Sequence, residues 1–183
     1  MSRTLPGTAQ HQAADPRADR PGPDPAPAPP DPDTPPRGPS ALVFATRVWP
    51  DPSAIRAAVT ACEARLRTHG ADAAAARLCA LVLAELLNNV AEHAFRDLAP
   101  VPVEVEVRAR RGSLYLAIAD RGRPMPGGAL PAPCLPDLAV ARADMPEGGW
   151  GWHLVRSLAT SLDYRREDGT NRLRVRLDPQ GPA

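Results

Sequence analysis

Two spacings of apolar residues divide this chain into strands and helices. Residues 41–49, Ala-Leu-Val-Phe-Ala-Thr-Arg-Val-Trp, are rich in β-branched and aromatic side chains and predict a first strand. Asp51-Pro52-Ser53 is a helix-start signal. Ile55, Val59, Cys62 and Leu66 then recur at helical spacing, and Gly70 stops the run. Asp72 opens a second helix, which extends to about Phe95. Val101, Val103, Val105 and Val107 alternate with Pro102, Glu104, Glu106 and Arg108, the period of a half-buried strand. Arg111-Gly112-Ser113 is a turn, so the next strand, 114–119, closes a hairpin. Residues 121–149 are rich in Pro and Gly with weak periodicity. A connection of that length inside a compact domain is usually functional, and it reads as a lid carrying a short helix at 136–144. A third helix at 151–162 precedes a closing hairpin, 164–167 and 173–177, around Asp168-Gly169-Thr170-Asn171. This order predicts an α+β fold: a two-layer α/β sandwich, with helices on one face of a mostly antiparallel sheet.

Composition sets the boundaries. Residues 1–40 hold half of the chain's 24 prolines. Proline lacks the backbone donor that helices and ladders need, so this stretch reads as a disordered tail with polyproline II character. The ordered domain spans 41–178, followed by a disordered C-terminus at 179–183. A net charge of +1 gives no electrostatic case for nucleic acid or for an anionic membrane as partner. Cys62, Cys79 and Cys134 follow no metal-ligand spacing, and the first two sit among apolar helical residues, as small buried hydrophobes do. No apolar run approaches the roughly 18 residues of a membrane span, and the N-terminus has no signal-peptide core. The expected location is cytoplasmic.

Three segments carry candidate chemistry. The second helix contains Glu85-Leu86-Leu87-Asn88-Asn89-Val90-Ala91-Glu92-His93. Residues four apart share a helical face, so Glu85, Asn89 and His93 are expected in one polar row, with Asn88 on a different face. An unpartnered buried polar group costs roughly 2–7 kcal/mol, so such a row in an apolar helix calls for a ligand. In the second segment the strand 114–119 runs into Asp120, with Gly122 two residues on. In the third, Gly148-Gly149-Trp150-Gly151 opens a helix, where free N–H groups and the helix dipole favour phosphate.

With these motifs in this order, residues 41–177 resemble the Bergerat-fold (histidine kinase/Hsp90-like) ATP-binding domain. More narrowly they resemble the anti-sigma-factor serine kinases of bacterial partner switching, with Glu85 where many histidine kinases have asparagine and Glu92 where they often have lysine. The resemblance implies ATP as substrate and Mg²⁺ as cofactor, held by Asn89. It implies Glu85 as the catalytic base, and His93, Asp120, Gly122, Gly149 and Gly151 as further ATP-binding residues. Asp120 would accept a hydrogen bond from the adenine amino group. A family threonine falls near Thr170. The implied activity is that of a protein serine/threonine kinase, and the implied partner a STAS-domain anti-anti-sigma protein, with a sigma factor as a further candidate and homodimerisation common in the family. The alternative is a nucleotide-responsive protein that sequesters a regulator without significant turnover. Plainer readings stand beside these roles: a hydrogen-bonded amide for Asn89, a helix salt bridge or water-mediated metal contact for Glu85, and a strand-end turn residue for Asp120.

Overall fold

The computed structural model describes residues 40–131 and 150–179. The tail, the expected short helix at 136–144, Gly149 and residues 180–183 lie outside the described residues. The described chain runs β1 (Ala41–Val48), α1 (Pro52–Thr68), α2 (Ala73–Asn89), a π-turn (Val90–Ala94), β2 (Val103–Arg110), β3 (Ser113–Asp120), a short 3₁₀ turn (Pro126–Gly128), α3 (Trp150–Leu158), β4 (Ser161–Glu167) and β5 (Thr170–Leu177). The five strands form one sheet in the order β1-β2-β3-β5-β4, every neighbouring pair antiparallel.

Both long helices begin where the sequence predicts. The Asp51 carboxylate accepts from the N–H groups of Ser53 and Ala54, and the Asp72 carboxylate from those of Ala74 and Ala75. Each cap satisfies helix-start donors that otherwise lack partners, typically worth ~1 kcal/mol.

Alternation in the strands fixes which face the helices cover. Val103, Val105 and Val107 of β2, Leu114, Leu116 and Ile118 of β3, and Leu173, Val175 and Leu177 of β5 are all buried. They share a core with Ile55, Cys62 and Leu66 of α1 and with Cys79, Val82, Leu83, Leu86 and Leu87 of α2. Cys62 and Cys79 are fully buried free thiols, as their apolar neighbourhoods predict. Contrary to the expectation of no such run, the α2 helix counted with its π-turn spans Ala73–Ala94 and is long and apolar enough to cross a membrane. Its inward side chains are occupied in the core instead. The inner phases of β3 and β5 end in two polar residues, Asp120 and Asn171, which are 6% and 5% exposed. They are Cα partners across the sheet. The core therefore terminates in a polar pair at one end of the two central strands.

Three further expectations are corrected. The third helix ends at Leu158, not 162, and β4 begins at Ser161. The closing turn is two residues, not four: Asp168 and Gly169 have φ of 48° and 74°, the mirror-image turn that suits tight hairpins. That turn sets Glu167 opposite Thr170, and the ladder then runs back to Ser161 opposite Arg176, claiming residues assigned to the helix. The second helix does not stay α-helical to its end, since its last turn takes one extra residue as a π-turn.

Candidate functional site

The C-terminal half of α2 carries the site. Glu85 and Asn89, one turn apart, are both half-buried, while Asn88 is exposed. Asn89 Nδ2 donates to the Glu85 backbone carbonyl at 2.7 Å. A carbonyl only accepts, so the amide orientation is forced and Oδ1 is directed away from that carbonyl. No described residue donates to this oxygen, and the Glu85 carboxylate has neither a hydrogen bond nor an ion pair among the described residues. The helix salt bridge considered for Glu85 is therefore not formed by them.

The first turn of α3 lies directly over this pair. A Cβ on Gly151 would stand 2.6 Å from Glu85 Oε2 and 3.5 Å from Asn89 Nδ2. Only glycine lets the α3 backbone approach so closely. The structure thus brings together three predicted site residues: the Glu85 carboxylate, the Asn89 amide and the Gly151 backbone. Trp152, in the same helix, packs half-buried against the core.

His93 makes its contact elsewhere, with Glu92. It lies within the π-turn Val90–Ala94. The His93 side chain is 69% exposed and lies 3.9 Å from the Glu92 carboxylate. Ala94 instead meets the second motif. Its carbonyl accepts from Arg123 N at 2.7 Å, and a Cβ on Gly122 would fall 2.4 Å from that same oxygen. Gly122 is glycine because the end of the α2 helix fills the space beside it.

Asp120 sits at the buried end of β3. Its Oδ1 accepts from Gly122 N at 2.8 Å and from Asn171 Nδ2 at 2.8 Å. Burial raises the Asp120 pKa from its ordinary value, against the opposing pull of Asn171, Gly122 and the nearby Arg166 charge. Between the ordinary value and the raised one, the folded chain keeps a proton that the unfolded chain has released. The Asp120 contribution to stability therefore falls as pH rises through that window. Denaturant titrations of wild type and Asp120→Asn should diverge there, the wild type losing stability relative to the variant as pH rises. The opposite slope would contradict burial as the dominant cause.

Sequence reasoning placed the last-hairpin contribution near Thr170, whereas Asn171 faces Asp120. The signal was present: Asn171 shares the alternating phase of Leu173, Val175 and Leu177, a polar residue in a buried column. Tyr164 and Arg166 were also missed. The Tyr164 hydroxyl donates to Asn171 Oδ1 at 2.8 Å and accepts from Met125 N at 3.0 Å. Arg166 donates to the Gly122 carbonyl at 3.0 Å and to Asn171 Oδ1 at 2.6 Å. Asn171 Nδ2 also donates to the Arg123 carbonyl at 2.9 Å. The segment leaving Asp120 is thus held by side chains of β4 and β5, and Arg156 of α3 anchors its far end at the Pro131 carbonyl.

Residues 48–177 match the histidine kinase-like ATPase domain family. The chain belongs to that family. The serine/threonine-protein kinase BtrW of Bordetella bronchiseptica is 38% identical over 90 residues, covering 49% of this chain and 61% of that protein. The match thus spans less than two-thirds of the relative's length. Among solved structures, the RsbU and RsbW domains of Rv1364c from Mycobacterium tuberculosis superpose with a TM-score of 0.53 at 15% identity, over 77% of this chain and 33% of that one. A blue-light activated histidine kinase from Erythrobacter litoralis aligns at 22% identity over 69% of this chain and 59% of its own, with a TM-score of 0.42. The first of these structures establishes the fold: a five-stranded antiparallel sheet with three helices, as in the histidine kinase-like ATPases.

The Asn89 donor set fits a divalent cation. Among the described residues no three His, Cys, Asp or Glu side chains gather as a metal cluster. A hard ion bound with a nucleotide needs only one or two protein oxygens beside phosphates and water. Asn89 Oδ1 supplies an oxygen of that kind. Replacing Gly151 with alanine tests its approach to Glu85. The clashing atom is the tip of a flexible side chain, so Gly151→Ala should fold with an unfolding midpoint close to wild type. A catalytic role for Glu85 would then show as phosphoryl transfer at least tenfold slower, ~1.4 kcal/mol in the barrier. A variant with wild-type turnover would show that Glu85 and Gly151 need no such proximity.

Proposed function

We propose that this domain binds Mg·ATP and transfers its terminal phosphoryl group to a serine hydroxyl on a STAS-type anti-anti-sigma partner in a cytoplasmic partner-switching system. Membership in the ATPase family and the 38% identity to a protein named serine/threonine kinase support the nucleotide and the reaction class. The free thiols Cys62 and Cys79 are compatible with a reducing compartment. The observation that carries the reading is the packing of Gly151 onto the Glu85 carboxylate, which has no partner among the described residues, beside the Asn89 amide.

Asn89 would hold Mg²⁺ with the phosphates. When bound, the ion neutralises charge on the phosphate oxygens and orients them. The protein's own groups do the rest. The first turn of α3, at Gly151, would lay backbone N–H donors along the phosphates. Asp120 accepts from the adenine amino group through Oδ2, because both of its present hydrogen bonds use Oδ1. Glu85 takes the proton of the serine hydroxyl as that oxygen bonds to phosphorus. The bond from phosphorus to the bridging oxygen breaks, and ADP leaves with its electron pair. Catalysis then consists of positioning, charge neutralisation and one proton transfer.

The test is incubation of the purified chain with terminally labelled ATP, Mg²⁺ and a STAS protein. Acid-stable label on serine is the expected result. Nucleotide uptake and a stable complex without label would replace the kinase reading with that of a sequestering protein. No uptake of adenine nucleotide by calorimetry would overturn both.

A further inference from the structure

Glu85 stands at a border on the surface of α2. A regular helix turns about 100° per residue, so Arg77, Leu81, Ala84 and Asn88 fall within about 60° of one another around its axis. Arg77 and Asn88 are exposed, and Leu81 is 44% exposed. Glu85 is half-buried and lies about 40° round from Leu81. Asn89 lies about 40° beyond that, and the first turn of α3 covers both. Glu85 therefore has α3 on one side and an open stripe of its own helix on the other. A single exposed leucine is ordinary on a protein surface. Leu81 is set apart by its place, one turn and about 6 Å before the candidate base. Arg77, one turn earlier again, has no hydrogen bond or ion pair among the described residues. The stripe thus offers an apolar contact and an uncommitted guanidinium, both leading up to Glu85.

We propose that this stripe is the docking surface for the protein that carries the acceptor serine, with Leu81 and Arg77 as its specificity-determining residues. This inference rests on the kinase reading above. Attack in line sets the incoming hydroxyl opposite the leaving ADP. In that reading the phosphates lie against the first turn of α3, so the hydroxyl reaches Glu85 from the stripe side. The occupant that fits is a protein segment presenting three groups along about 12 Å. They are the serine hydroxyl at Glu85, an apolar side chain at Leu81 and a carboxylate at Arg77. The charge of Arg77 attracts such an acid and repels a basic segment, which discriminates between partners. Neither residue lies in the nucleotide site, so each acts on capture of the partner and not on the chemical step.

The experiment follows phosphorylation of a STAS-domain protein by the full chain, by Arg77→Glu and by Leu81→Gln, at saturating labelled ATP and varied STAS-protein concentration. Both positions are exposed and both new residues are good helix formers, so each variant should keep the wild-type unfolding midpoint and Mg·ATP affinity. Each should raise KM for the STAS protein about tenfold and leave kcat within about twofold. Arg77→Glu should also flatten the dependence of KM on salt, which Leu81→Gln should preserve. A purely structural role would lower the midpoint or weaken Mg·ATP binding in parallel. An unchanged KM in both folded variants overturns the proposal, as does a fall in kcat with KM unchanged. Wild type that binds Mg·ATP but leaves the STAS protein unlabelled instead refutes the kinase reading itself, so the two failures are distinct.

Discussion

Glu85→Gln should abolish phosphoryl transfer almost completely while leaving nucleotide binding nearly intact. The substitution keeps the length and shape of the side chain and removes only its ability to take a proton. Loss of a general base typically costs ~10²–10⁴ in rate. Affinity for Mg·ATP should stay within about threefold, under ~1 kcal/mol, because Asn89, Asp120 and the α3 backbone are untouched. The split separates two roles for this carboxylate. A base acts only as the hydroxyl is consumed, so its loss appears in turnover and not in binding. A carboxylate that mainly holds the cation would show the reverse: weaker Mg·ATP binding, partly restored by raising Mg²⁺. The geometry favours the first role. Glu85 has no ion pair or hydrogen bond among the described residues to occupy it, and the α3 backbone comes close enough to place a phosphate beside it. Single-turnover measurement with labelled ATP and calorimetry on the same preparation decide between them. Equal transfer rates in wild type and variant would remove Glu85 from the mechanism.

Features written in local chemistry were legible in the sequence. Asp51 and Asp72 announce helix starts because a short carboxylate before a helical run has one efficient use. The valines of β2 declare a half-buried strand because period two has no other good explanation. Glu85 and Asn89 could be paired because both lie within regular α-helix. The π-turn that contains His93 was not legible, because nothing in the apolar spacing reveals where a helix widens. That widening answers a tertiary demand: it delivers the Ala94 carbonyl to Arg123 N. The length of β4 was hidden for a similar reason. Leu158 and Leu162 fit a helical spacing, and only the two-residue turn at Asp168-Gly169, with the register it imposes, assigns Ser161 to a strand. Asn171 was legible in principle, as a polar residue in a buried phase. Tyr164 and Arg166 were not, because their importance lies in partners on other segments.

The second large effect is expected at Gly122, on stability and not on rate. In Gly122→Ala the new methyl carbon would lie 2.4 Å from the Ala94 carbonyl oxygen, 2.6 Å from Ala94 Cβ and 2.7 Å from Ala94 C. Two of these three atoms are backbone, and the carbonyl is already engaged by Arg123 N at 2.7 Å. The glycine cannot retreat either. Its N–H is tied to Asp120 and its carbonyl to Arg166. Relief therefore requires the end of the α2 helix and the 120–123 segment to separate, breaking several buried hydrogen bonds at once. Overpacking of this kind typically costs ~1–3 kcal/mol, and a site held on both sides belongs at the upper end. Chemical denaturation should show a lower midpoint with an unchanged slope. The contrast with Gly151→Ala is the informative part. There a methyl group meets the end of a mobile side chain, so the cost falls on turnover; at Gly122 it meets backbone, so the cost falls on folding. A Gly122→Ala protein as stable as wild type would show that the α2 end and the Asp120 loop are not in fixed contact, and the account of the π-turn as the device that joins them would fail.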